Sequence, residues 1–215
     1  MKKDLTELVF ILDRSGSMQS LTNDTIGGFN SLIEKQRGEN GECLVSAVLF
    51  NHQSSVLYDR VPLDKITEMT RKDYSAMGNT ALVDAIGAAI HHIGNVHKYA
   101  REEDVPQNTL FVIITDGMEN SSHIYTSDKV KQMIEHKKQK YSWEFLFIGA
   151  NIDAVETAEH FGIARENAVD YIADSTGTDA VYGSVCQAVS MVRAASALAP
   201  DWSEQIKSDY KKRKR

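Results

Sequence analysis

Four apolar residues, Val9-Phe10-Ile11-Leu12, run without polar interruption into a carboxylate, Asp13, and Arg14-Ser15-Gly16-Ser17-Met18 follow. The run lacks the alternation of a half-exposed strand, and its length suits a strand buried on both faces, as in the middle of a parallel sheet. Such a strand hands its next residues to the carboxyl edge of the sheet, where open α/β folds bind ligands. Asp13, Ser15 and Ser17 then offer three oxygen atoms on one short turn, with Gly16 letting the backbone bend. Hard cations such as Mg²⁺ and Mn²⁺ take oxygen ligands of this kind.

Two later stretches extend the pattern. Leu110-Phe111-Val112-Ile113-Ile114-Thr115 is a second apolar run that ends on a carboxylate, Asp116, followed by Gly117. Gly78-Asn79-Thr80 places a third hydroxyl just ahead of an amphipathic helix. In these residues, their order and their strand contexts, the chain resembles the von Willebrand factor A domain family. The metal-ion-dependent adhesion site of that family combines Asp-x-Ser-x-Ser on the first strand, a Thr from a later loop and the Asp of Thr-Asp-Gly. Asp13, Ser15, Ser17, Thr80 and Asp116 match those five positions, and the resemblance covers about residues 5–198.

The resemblance implies a Rossmann-like α/β fold: a doubly wound, mostly parallel six-stranded sheet with one antiparallel edge strand and helices on both faces. It also implies a metal-dependent protein-binding module, in which Mg²⁺ (or Mn²⁺) on those five residues docks an Asp or Glu of a partner protein. Prokaryotic intracellular members are often accessories of AAA-type ATPases or of stress and tellurite-resistance systems, which suggests a setting for the partner. The physical case for a cation stands beside the resemblance. Two carboxylates about 5 Å apart repel by roughly 3 kcal/mol at an effective dielectric near 20. A divalent ion removes that repulsion, while neutral Ser and Thr ligands leave the ion electrophilic enough to take one more carboxylate.

Strands alternating with helices along the chain predict one doubly wound domain over residues 1–200, followed by a polar, basic tail, 201–215. Strands are expected at 44–50, 56–61, 144–148 and 169–173. Helices are expected after Thr22 or Asn23, and from Ala81, Ser127, Asp153 and Asp179. Asn51 to Ser55 is too short for a parallel crossover, so 56–61 should return antiparallel to 44–50. The chain carries a net charge of −6, but residues 211–215 are all basic. Without them, 19 Lys and Arg face 30 Asp and Glu, a net charge of −11 that argues against a broad nucleic-acid surface. The run Lys211 to Arg215 reads as a solvated, disordered end.

Lys2 and Lys3 ahead of an apolar run imitate a signal peptide, but the run is short and closes on Asp13. No stretch reaches the roughly 20 apolar residues of a membrane span. Cys43 and Cys186 read as reduced thiols, and the expected location is cytoplasmic. His91, His92 and His97 lack metalloprotease spacing and read as solvated or packed.

The rival to a binding module is a Mg²⁺-dependent phosphohydrolase with Asp13 as nucleophile. Enzymes of the haloacid dehalogenase type carry a second Asp as acid/base where this chain has Ser15, so the expectation is a protein that is not an enzyme. Met18, Met77 and Met118 each adjoin one of the metal loops, with Tyr74 nearby. They either pack beneath those loops or form a partly exposed rim for the partner, and the rim is the expectation carried forward.

Overall fold

In the computed structural model, residues 1–195 and 197–214 are described. Strand β1 (Lys2–Asp13) leads through a 3-10 turn (Gly16–Leu21) into helix α1 (Thr22–Arg37), and β2 (Glu42–Phe50) turns back into β3 (Ser54–Pro62). Then follow α2 (Leu82–Tyr99), β4 (Pro106–Thr115), α3 (Ser127–Tyr141), β5 (Glu144–Gly149), α4 (Ala154–His160), β6 (Ala168–Asp170), α5 (Ser175–Ala195) and α6 (Glu204–Arg213). The strands form one six-stranded sheet in the order β3-β2-β1-β4-β5-β6. Every pairing is parallel except β2 with β3, so the short connection after Phe50 does make an antiparallel edge.

The pleat of β1 divides the core. Leu8, Phe10 and Leu12 belong to the core on the side of α1 and α5, with Phe29, Val181 and Val185. Val9 and Ile11 face the other way, toward Ile86, Ile90 and Ile93 of α2 and Val130 of α3. Both faces are covered, which is why the run of β1 needs no polar alternation. Phe10 meets Phe29 edge-on with ring centroids 5.3 Å apart. Burying each such side chain contributes about 1.5–3 kcal/mol. On β3 the register shifts around Ser46 of β2, whose hydroxyl accepts from the Arg60 amide at 2.9 Å, and Arg60 adopts a left-handed φ of 51°. That irregularity bends an edge which would otherwise invite another strand.

Two expectations need correction. Neither Thr22 nor Asn23 caps α1: the helix continues from the 3-10 turn with no side-chain cap, and the Thr22 hydroxyl donates back to the Gln19 carbonyl at 3.0 Å. The run 211–215 is solvated at Lys211, Lys212 and Lys214 as expected but is no loose end, since residues 211–213 close helix α6. Trp202 and Ile206 are buried, Trp202 Nε1 donates to the Glu166 carbonyl at 2.9 Å, and α6 packs on α5 and β6. Charged residues on the outer face hid the two apolar anchors of this helix. Arg215 lies outside the described residues. Among the described residues no helix is long and apolar enough to cross a membrane.

Candidate metal centre

β1 and β4 are neighbours, with Leu12 level with Ile114, so Asp13 and Asp116 leave the sheet at the same carboxyl edge. Both are almost withdrawn from water, Asp13 at 1% exposure and Asp116 at 3%. The Asp13 carboxylate is fixed at both oxygens: the Ser15 amide donates to Oδ1 at 2.7 Å and Thr115 Oγ1 donates to Oδ2 at 2.6 Å. Ser17 Oγ donates to Asp116 Oδ1 at 2.6 Å and lies 3.1 Å from Ser15 Oγ. A Cβ on Gly117 would stand 3.5 Å from Thr80 Oγ1 and 3.7 Å from Ser17 Oγ, so Gly117 keeps open the space that these two hydroxyls flank. The structure therefore brings together all five residues named from the sequence.

The loops that carry them are stitched to one another. Gly16 donates its amide to the Gly78 carbonyl and Met77 donates to the Arg14 carbonyl, both at 2.9 Å. Gly78 has a φ of 77°, and a Cβ there would collide with the His52 ring at 2.3 Å, so only glycine serves. Asn51 Nδ2 donates to the Met77 carbonyl, and Asn120 Oδ1 accepts from the Thr80 amide, both at 2.9 Å. Glu119 accepts from the amides of Val83, Ser121 and Ser122, while Asp84 accepts from those of His123, Ile124 and Tyr125. Thr115, Asn51, Asn120, Glu119 and Asp84 escaped the sequence analysis. Thr115 alone left a signal, as a lone hydroxyl closing an apolar strand; each of the others bonds at least one partner 26 to 41 residues away.

Burial raises the Asp13 carboxyl above its ordinary range, with the Thr115 and Ser15 hydrogen bonds pulling the other way. Burial also raises Asp116, opposed by the Ser17 hydroxyl and reinforced by the charge of Asp13. Among the described residues neither carboxylate has an ion-pair partner. Nor do three or more His, Cys, Asp or Glu cluster anywhere among them. Two carboxylates and three hydroxyls are thus what the site offers, a donor set suited to a hard divalent cation. The countercharge is what it lacks.

The expected rim is only partly there. Met18 is 2% exposed, and Tyr74 is fully buried with its hydroxyl donating to the Asp13 carbonyl. Both belong to the packing beneath the loops, because the 3-10 turn after Ser15 points Met18 back toward the core. Met77 and Met118 are exposed, and Ile124, on the loop held by Asp84, is exposed with them.

The sequence matches the von Willebrand factor type A domain over residues 7–181. The chain belongs to the von Willebrand factor type A family. No curated protein matches it by sequence. Among solved structures it is similar to proximal thread matrix protein 1 from the mussel byssus with a zinc-occupied MIDAS motif, at 13% identity and a TM-score of 0.59, over 86% of this chain and 46% of that one. It is similar also to manganese-loaded TRAP protein of Plasmodium vivax, at 21% identity and a TM-score of 0.54, over 75% and 64%. A von Willebrand factor type A protein of Catenulispora acidiphila gives 15% identity and a TM-score of 0.55, over 86% and 42%. At these identities the likeness is one of fold, and the chain spans less than two thirds of each of these structures. The family match stops inside α5, so α6 lies beyond it.

Proposed function

We propose that this domain is a metal-dependent protein-binding module. Mg²⁺ or Mn²⁺ would be held by Asp13, Ser15, Ser17, Thr80 and Asp116, and an Asp or Glu of a partner protein would complete the coordination. The observation that carries this is the pair of buried carboxylates, bridged by hydroxyls and without a cation of their own. A divalent ion would neutralise the two carboxylates, and the three neutral ligands would leave it attractive to a third. The manganese and zinc in the two similar structures support the same use of the site here. Ser15 stands where a phosphohydrolase of this kind would carry its second Asp, so the acid/base that Asp13 would need as a nucleophile is missing at that position. A non-enzymatic protein acting in the cytoplasm, with Cys43 and Cys186 as free thiols, is part of the proposal.

Calorimetric titration with Mg²⁺ and Mn²⁺ tests the site. The wild-type protein should bind one ion, and Asp13→Ala and Asp116→Ala should bind none while keeping the wild-type circular dichroism. Unchanged binding in both variants would sink the assignment. Turnover of generic phosphate esters that is lost in Asp13→Asn would restore the phosphohydrolase reading.

A further inference from the structure

Helix α6 begins beside the start of β6, where Trp202 bonds to Glu166, and ends beside the loop after it, where Arg213 forks onto Asp174 with bonds of 2.7 and 2.9 Å. It therefore runs in the same sense as β6, and its last turn arrives at the carboxyl edge of the sheet. That is the edge of the metal centre. Asp170 at the end of β6 is level with Gly149, and Gly149 with Thr115, the residue before Asp116.

The last turn of α6 carries Lys211, Lys212 and Lys214, all exposed, while Arg213 is taken up as the anchor. Lys211 and Lys212 have no ion-pair partner among the described residues, and Lys214 donates to the Tyr210 hydroxyl. Lys211 lines a small groove with Asp170, and Lys214 stands within electrostatic reach of Asp170 and Asp153. Asp153 in turn lines a 430 Å³ groove that opens at Gly117 and Met118, beside Thr80. Asp153 thus stands between the groove at the metal loops and the end of α6, and the exposed charges of that groove include Asp153 and Glu156. On a body this acidic, that groove by itself would repel a carboxylate-bearing partner. The lysines of α6 reverse the sign beyond Asp153.

We infer that the carboxyl end of α6 is the second half of the docking face, and that the partner presents a run of acidic residues. One carboxylate sits at the metal, and others, further along the same extended segment, sit against Lys211, Lys212 and Lys214. Two strand spacings and the width of a helix separate the two halves, roughly 15–20 Å. Extended chain covers that distance in about five or six residues. This inference rests on the metal-dependent reading above and adds to it the chemistry of the partner.

The test uses the full chain in Mg²⁺ and two fluorescently labelled peptides: decaglutamate, and a decamer of Gly and Ser with a single central Glu. Fluorescence anisotropy should show decaglutamate binding at least tenfold more tightly, and more weakly as salt rises. Lys211→Gln/Lys212→Gln/Lys214→Gln should erase most of that preference, with Mg²⁺ affinity by calorimetry unchanged. Asp116→Ala should erase the Mg²⁺-dependent binding of both peptides. Wild-type affinity for decaglutamate in the triple variant overturns this inference and leaves the metal site standing. Tighter binding in that variant overturns it also. Failure of both peptides to respond to Mg²⁺ in the wild-type protein overturns the metal-docking reading and the inference with it. Mg²⁺-independent binding of duplex DNA, tighter than decaglutamate and lost in the triple variant, would make the lysines a nucleic-acid contact and overturn the acidic-partner assignment.

Discussion

Strand β1 carries two buried carboxylates, one at mid-strand and one at its carboxyl end. Glu7, at mid-strand, accepts from Arg60 Nε at 2.7 Å and lies 2.6 Å from His97 Nε2, and no part of it reaches solvent. Asp13, at the carboxyl end, is buried almost as deeply but meets only an amide, hydroxyls and a second carboxylate nearby. One strand thus treats the same chemical group in two ways. At Glu7 the chain supplies the countercharge itself, from Arg60 of β3, while His97 of α2 bonds the other oxygen, and the group ties three elements together. At Asp13 it supplies geometry without charge. A buried carboxylate without an internal cation is costly to keep ionised, and the cation proposed above would offset that cost.

The contrast can be broken by mutation. Arg60→Ala should have the largest effect, about 3 kcal/mol of lost stability in urea unfolding, because it strips a buried carboxylate of its main partner. The lower end of the usual range applies, since the Arg60 side chain keeps 21% exposure and His97 remains. A loss below about 1 kcal/mol would show that Glu7 is not held as an ion. Next, Mg²⁺ at a hundred times its dissociation constant should stabilise the wild-type protein by about 2.7 kcal/mol. The same ion should not stabilise Asp116→Ala, and equal stabilisation of both proteins would place the cation elsewhere.

Tyr74→Phe should cost about 1 kcal/mol, the worth of the hydrogen bond to the Asp13 carbonyl, without creating a cavity. A neutral result would mean that this contact does not hold the end of β1. The smallest effect should come from Asp116→Ala in EDTA, within about 1 kcal/mol of wild type in urea, because the lost Ser17 hydrogen bond is offset by relief of burial and of repulsion from Asp13. A large destabilisation there would make Asp116 a structural residue like Glu7.

The sequence made the Asp13 side of this contrast readable and hid the other. Asp13 and Asp116 follow unbroken apolar strands, and the strand register that unites them follows from simple alternation of elements. Thr80 was legible because it stands between a glycine turn and a strongly amphipathic helix. The Glu7 cluster draws on residues 53 and 90 positions away, and His97 looked like any other histidine on a helix. Met18 and Tyr74 failed for a related reason. Adjacency to a ligand in sequence fixes distance but not direction, and one 3-10 turn decides whether a side chain faces water or core. α6 failed because ten residues dominated by charge conceal Ile206, and its anchor Trp202 lies just outside them.

The position of α6 has a consequence for anyone cutting the domain. β6 pairs only with β5, and its other side is where α6 lies. A fragment ending at residue 200, the boundary that composition suggests, would strip away the indole on Glu166 and the isoleucine packed into the core beside Val169 and Tyr171. What remains is a short, bare strand with unpaired backbone groups, a template on which a second fragment could pair edge to edge. Truncated material would then self-associate, and a partner search made with it would report the stickiness of an exposed sheet rather than the selectivity of the proposed docking face.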